Sequence, residues 1–302
     1  MAVRTPLLPV EDLGARLGCD VFVKPENLQR VGAFKLRGAF NLVSQVATTG
    51  ASGVVTYSSG NHGQAVAYAA RRFGLRAVVV MPETVTAAKR GGVERLGGEV
   101  ILAGRTSNDR YQKAMEVARR EGLAVVPPYD HPAIIAGQGT VGLEIVEDCP
   151  GVGTVVVPVG GGGLSAGVAT AVKALKPEAD VITVEPEGAP KLATSLREHR
   201  RITLEKTGSI ADGLITLSVG ALNWEHLSRT VTRGETVSDA ALREAVRFAL
   251  DRVKLVLEPS GAATLAWLMG QGAGAVKGPV VAVLSGGNVD WAGLQDVLRD
   301  AR

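Results

Sequence analysis

Cysteine is scarce in this 302-residue chain: Cys19 and Cys149 are the only two, far apart and in no metal-binding or redox spacing. That excludes a disulfide framework and fits a reducing compartment. Aromatic residues make up 4% of the chain and the net charge is only +3. Both argue against a surface that stacks bases or grips phosphodiester backbone. The most basic stretch, Arg197-Glu198-His199-Arg200-Arg201, carries an acid and no aromatic, and reads as a solvated face. Long hydrophobic runs are missing too, because Gly, Pro or charge interrupts each one before it reaches membrane-spanning length. The opening Met1-Ala2-Val3-Arg4-Thr5-Pro6 has no apolar signal core. The expectation is a cytoplasmic protein with neither a membrane nor a nucleic-acid partner.

Hydrophobic residues are plentiful, at 46%, and they fall into a regular alternation. Short β-rich runs (53–57, 76–81, 99–102, 123–126, 154–159, 181–185, 279–284) are separated by longer stretches with helical spacing (64–73, 84–96, 109–120, 139–147, 165–175, 239–253, 261–269). Strands that alternate with helices imply crossover connections and parallel sheets, so the class is α/β. The densest breaker cluster, Pro127-Pro128-Tyr129-Asp130-His131-Pro132, marks a domain crossing. It divides the chain into a large domain (1–50 and 131–302) and a small inserted domain (51–130). The stretch 191–218 is the least regular.

Lys35 follows Phe34 and opens an apolar helix-like run through Val46. A lysine in apolar surroundings loses solvation, which lowers its pKa and frees an amine for Schiff-base chemistry. On its own the segment reads more readily as a snorkelling lysine on a helix edge, and the rest of the chain has to raise the catalytic reading. The strand 154–159 ends in Gly160-Gly161-Gly162-Gly163-Leu164-Ser165, where a helix begins. Four glycines let the backbone turn its N–H groups inward at a helix N-terminus, a natural phosphate cradle. The same stretch matches a dinucleotide fingerprint through Gly161, Gly163 and Ala166, with Glu185 about 20 residues on at the end of the next strand. A nicotinamide-dependent oxidoreductase therefore stands as the rival reading.

Two more loops lie at the carboxyl ends of strands, where ligands of open parallel sheets collect. Ser58-Ser59-Gly60-Asn61-His62-Gly63 suits a carboxylate, although a plain helix N-cap would use the same residue types. Ser285-Gly286-Gly287-Asn288 follows a buried-looking strand. One phosphorylated, amine-reactive cofactor accommodates all three loops and the lysine: pyridoxal 5'-phosphate (PLP).

In this arrangement the chain resembles the fold-type II PLP enzymes, in the branch of threonine dehydratases (threonine deaminases), serine dehydratases and serine racemases. The resemblance rests on Lys24 to Gln29 with Gly32 to Ala39, Ser58 to Gln64, Ile135 to Thr140 and Gly160 to Leu164. Ile210 to Gly213, Glu258 to Gly261 and Ser285 to Asn288 complete it in the family's order. It implies two open, twisted, mostly parallel sheets with helices on both faces, the tryptophan synthase β-like fold. It also implies Lys35 as the Schiff-base lysine and general base, with Phe34 beside the ring and Asn61 on the phenolic oxygen. Gly160, Gly161, Gly162, Gly163 and Leu164 would hold the phosphate, Ser285 the pyridine nitrogen, and Gly213 and Glu258 would complete the cofactor site. Ser58, Ser59, Asn61 and His62 would clamp an amino-acid substrate's carboxylate. The implied reaction is β-elimination of L-threonine to 2-oxobutanoate and ammonia, with L-serine giving pyruvate, in a homodimer or homotetramer.

Three departures bear on that reading. Ser59 stands where serine racemases place a second acid–base, which keeps a racemase alternative open. The racemases' metal site is matched by Glu185 and Ala189, but Lys191 replaces an expected acid. An ammonium there can take the cation's place, so no metal is assigned. The chain ends one helix after Asn288, from which no regulatory domain and no isoleucine inhibition are expected.

Overall fold

The structure is a computed structural model and describes residues 1–58 and 60–299. Its strands are β1 (Leu8–Pro9), β2 (Val21–Pro25), β3 (Gly53–Tyr57), β4 (Arg76–Met81), β5 (Glu99–Leu102), β6 (Ala124–Val125), β7 (Thr154–Pro158), β8 (Asp180–Pro186), β9 (Arg233–Val237) and β10 (Val280–Leu284). They form two sheets, ordered β1-β2-β10-β7-β8-β9 and β5-β4-β3-β6. Every pairing of these strands is parallel except β1 with β2. The expected α/β class with mostly parallel sheets is what the chain adopts.

The central strands are β-branched and buried on both faces, as parallel strands covered by helices must be. On the larger sheet Val156, Ile182 and Ala282 point into one core, while Val155, Val181, Val281 and Val283 point into the other. On the smaller sheet Val54, Val79 and Met81 face one side, and Val55, Val78 and Val80 the other. This period of two places an apolar layer on each face of both sheets.

The helices are α1 (Glu11–Leu17), α2 (Lys35–Val46), α3 (Asn61–Arg72), α4 (Ala87–Arg95), α5 (Ser107–Glu121), α6 (Pro132–Asp148), α7 (Gly163–Leu175), α8 (Lys191–Arg197), α9 (Ala221–Thr230), α10 (Asp239–Phe248), α11 (Ala263–Met269) and α12 (Trp291–Leu298). Helix α2 sends Leu36, Ala39, Leu42 and Val43 into the core of the smaller sheet, although it precedes that sheet's first strand. Its packing thus ties the Lys35 segment to the Ser58 loop.

Helix α6 begins at Pro132, ahead of its expected start at Gly139. Pro132, read from sequence as a breaker, is its first residue, where a missing N–H costs nothing, and the His131 ring caps the helix through the N–H of Ala133. Its glycines are contact points. A Cβ on Gly137 would come within 2.6 Å of Gly38 Cα on α2, and one on Gly142 within 2.8 Å of Val168 O on α7. Only backbone-to-backbone contact lets α6 lie between those two helices.

Candidate active site

The carboxyl ends of β7 and β10, and of β3 across the gap, open toward one another. The Lys35 amine, at the first turn of α2, enters this space and donates to Pro128 O at 2.7 Å. Its Nζ lies 5.1 Å from the centre of the Phe34 ring. Burial pushes the Lys35 pKa down to about 8, and the charge of Glu258 resists that fall. A helix N-terminus beneath the amine acts in the same direction as burial.

Asn61, the first residue of α3, donates from Nδ2 to Glu258 Oε1 at 2.6 Å and accepts at Oδ1 from Asn288 Nδ2 at 2.8 Å. Asn288 Nδ2 also reaches Val31 O at 2.7 Å. These partners orient the Asn61 amide, and among the described residues one of its two amide hydrogens has no acceptor. Burial raises the Glu258 pKa to about 7; Asp212 adds to the rise, while Asn61, Lys89 and Lys35 oppose it. A carboxyl poised near neutrality beside a lysine poised near 8 is the pattern expected where protons move.

Ser285 is buried and donates to Ser260 O at 3.3 Å, while its carbonyl accepts the Phe34 N–H at 3.1 Å. Ser260 Oγ in turn accepts the Gly213 N–H at 2.9 Å. One serine therefore joins the β10 loop to the wall that faces the glycine loop.

The glycine loop bends at Gly162, with a φ of +96° that side chains oppose, and leads directly into α7. The Gly161 carbonyl is turned outward, accepting the Gly220 N–H at 2.9 Å and Asn223 Nδ2 at 2.7 Å. Among the described residues no acceptor takes the N–H groups of Gly160, Gly161, Gly162, Gly163 or Leu164. A Cβ on Gly160 would lie 2.5 Å from Gly213 O, and one on Gly161 would enter the Tyr129 ring. The loop is a cradle of free donors that side chains would fill, and it suits a phosphate dianion.

Among the described residues α3 starts from Gly60 without a side-chain cap, and Ser58 Oγ accepts the Gly60 N–H at 3.2 Å. The N-cap alternative has no side-chain bond to rest on among the described residues. Ser59 lies outside the described residues. The His62 ring is buried, with Nε2 3.0 Å from Val126 O. Burial, reinforced by the Lys35 charge, lowers its pKa to about 3, so it is neutral. Only its main chain can serve a carboxylate.

Glu185 does not project toward the glycine loop as a ribose ligand must. It is wholly buried, paired with Lys191 at 2.9 Å, and accepts the N–H groups of Leu192 and Ala193. The dinucleotide reading is thereby overturned: its acid is spent on the start of α8. Asn223 was not singled out in the sequence, Pro128 and Tyr129 stood there only as part of a breaker cluster, and Ser260 only inside the Glu258 to Gly261 stretch. Their partners lie dozens of residues away and leave no local signal.

The sequence matches, over residues 2–286, the family described as pyridoxal-phosphate dependent enzyme. The chain belongs to that family. It is 40% identical over 289 residues to an L-threonine ammonia-lyase of Thermotoga maritima, covering 95% of this chain and 72% of that one. A serine racemase of Schizosaccharomyces pombe is 37% identical, over 96% of this chain and 90% of the relative. Among solved structures, a threonine deaminase from T.th. superposes with a TM-score of 0.90 at 42% identity, covering 96% and 94% of the two chains. PLP is the cofactor of this family, and the Lys35 amine with its neighbouring cradle of free N–H groups suits an aldehyde and a phosphate on one molecule.

Proposed function

We propose that this PLP-dependent enzyme is an L-threonine ammonia-lyase, converting L-threonine to 2-oxobutanoate and ammonia and L-serine to pyruvate. The observation that carries the reading is the Lys35 amine, its pKa pushed down to about 8, facing the Asn61–Glu258 pair beside a cradle of free N–H groups. PLP, when bound, supplies an aldehyde for the substrate amine and a sink for the electrons of the Cα–H bond. The residues supply the rest. Lys35 is the base that removes the Cα proton, and Phe34 walls its approach. Gly160 to Leu164 and Gly213 hold the phosphate, and Asn61 offers its spare amide hydrogen to the phenolic oxygen. Glu258 keeps Asn61 in that orientation. Ser285 is neutral and cannot hold a proton on the ring nitrogen as a carboxylate would, which favours prompt loss of the β-hydroxyl. Ser58, Ser59 and the main-chain N–H groups of Asn61 and His62 fix the substrate carboxylate.

Support comes from the Thermotoga maritima and T.th. relatives, both named for threonine deamination. The test is the absorption spectrum of the purified chain before and after borohydride, followed by L-threonine and a keto-acid assay. The reading expects a cofactor band that borohydride removes, and 2-oxobutanoate. A chain that takes up no PLP would sink it.

A second reading, amino-acid racemase, is favoured by the Schizosaccharomyces pombe relative and by Ser59 in the sequence. D-serine formed from L-serine faster than pyruvate would establish it. We further propose a cytoplasmic homo-oligomer with a large domain (1–50 and 131–302) and a small domain (51–130). No helix among the described residues is long and apolar enough to cross a membrane.

A further inference from the structure

Two lysines are wholly buried, Lys24 and Lys191. Lys24 meets Glu144 at 2.7 Å and Thr5 O at 2.6 Å, in a network that pins the N-terminal segment to α6. Lys191 is surrounded differently. Its Nζ lies 2.9 Å from Glu185 Oε1, 2.9 Å from Leu214 O, 3.1 Å from Val159 O and 3.3 Å from Ala189 O. One carboxylate and three main-chain carbonyls are the oxygen set that a small hard cation takes. Here the cation is the end of a side chain.

Two of those carbonyls belong to the walls of the glycine cradle. Val159 C=O and Gly160 N–H are the two ends of one trans peptide, so they point in opposite directions. Holding the carbonyl on the ammonium aims the Gly160 N–H away from Lys191, and the same bond polarises the peptide and strengthens that donor. Leu214 directly follows Gly213, whose carbonyl closes on Gly160 from the other side. One ammonium therefore ties both walls of the cradle to the end of β8.

We propose that Lys191 is a tethered cation that holds the glycine cradle in its phosphate-binding shape, and that Lys191→Ala leaves in its place a site for a small primary ammonium ion. The proposal rests on PLP being the cofactor, and makes Lys191 a positioning residue that touches neither cofactor nor substrate.

The test compares two probes on cofactor-stripped protein: PLP, and pyridoxal, which lacks the phosphate. Parent, Lys191→Ala and Lys191→Met are titrated by absorption, with and without methylammonium chloride, using sodium chloride at equal ionic strength as the control. For both variants PLP affinity is expected to fall at least about tenfold, the scale of one lost charge-assisted hydrogen bond. Pyridoxal affinity should change by less than about twofold, since it does not use the cradle. Methylammonium should restore PLP affinity to Lys191→Ala and not to Lys191→Met, whose side chain fills the space. Unchanged PLP affinity, or equal losses for PLP and pyridoxal, overturns the proposal. Selective loss without methylammonium rescue overturns the ammonium site. If the single variants do not fold with Glu185 left unpaired, Glu185→Gln/Lys191→Met removes both charges and takes the same two-probe comparison. A parent chain that binds no PLP would instead overturn the cofactor reading itself.

Discussion

Asn61 and Glu258, 197 residues apart in the chain, meet through a 2.6 Å hydrogen bond from the asparagine amide to the glutamate carboxyl. Asn61 opens α3 over the smaller sheet, and Glu258 sits beside the loop that follows β10 of the larger one. The bond therefore spans the opening that holds Lys35. It also buries a carboxyl whose pKa is raised to about 7.

That burial predicts a pH-dependent effect of Glu258→Gln on stability. The folded-state pKa is raised above the unfolded value, so the folded chain binds more protons between about pH 4.5 and 7. The stability tied to Glu258 is present below that window and is lost as pH rises through it. Glutamine keeps the oxygen that Asn61 donates to and carries no charge at any pH. Relative to the parent, the cofactor-free variant should gain on the order of 2 kcal/mol between about pH 4.5 and pH 8. Urea unfolding of both proteins at the two pH values measures this, and a difference independent of pH contradicts the assignment.

Lys35 makes a second pH prediction. Only the unprotonated amine attacks an aldehyde, and the Lys35 pKa is pushed down to about 8 by burial. The rate of PLP uptake by stripped protein should rise with pH and level off above about 8. An ordinary surface lysine would keep accelerating beyond about pH 10. Stopped-flow absorption from about pH 6 to about pH 10 separates the two. Lys35→Ala should show neither this uptake phase nor fixation of the cofactor by borohydride.

Much of this site was legible because its chemistry sits in short, locally marked loops. Gly160 to Gly163, Ser285 to Asn288 and the Ser58 loop each follow an apolar strand, and strand ends in parallel sheets are where ligands bind. The strands β3, β4 and β5 were legible to the residue for a related reason: β-branched runs bounded by turn residues have one stable use. The start of α6 was not, because glycine and proline weigh against a helix locally, while the contacts with Gly38 and Val168 that favour it lie elsewhere in the chain. Strand β9, Arg-Gly-Glu-Thr-Val, carries one buried hydrophobic residue and lies at a sheet edge, so its composition hid it. The oxygen cage of Lys191 draws on residues 159, 185, 189 and 214. Its two main-chain walls from 159 and 214 are set by tertiary folding alone.

The cradle itself can be tested by filling it. A Cβ at Gly161 would enter the ring of Tyr129, the residue after Pro128, whose carbonyl receives Lys35. Gly161→Ala must displace that ring or the loop, and either movement spoils the row of inward N–H groups. PLP affinity should fall by at least about 100-fold, on the scale of two lost charge-assisted hydrogen bonds. Gly151→Ala, where a Cβ meets nothing within 4 Å, is the matched control. Equilibrium dialysis of PLP against both variants gives the answer, and equal affinities would show that the loop is only a turn.

Two residues beyond Lys35, Arg37 anchors the base of the site. Its guanidinium reaches Glu26 twice at 2.7 Å and Glu144 at 2.6 Å and 2.8 Å, and the Arg37 and Glu26 side chains are nearly free of solvent. Among the described residues, removing the guanidinium leaves buried Glu26 with only Thr5 Oγ1, at 2.7 Å, to satisfy it. Arg37→Met should therefore lose about 3–5 kcal/mol, the usual cost of stranding one partner of a buried pair. Replacing both partners is a different matter, because neither charge is then taken out of water. Glu26→Gln/Arg37→Met should recover more than half of the loss in urea unfolding of the cofactor-free chain. If the double variant is no more stable than the single one, the network's value lies in hydrogen bonds that orient α2 rather than in the neutralisation of Glu26. Rates of keto-acid formation should then track the orientation of Lys35, falling together in both variants.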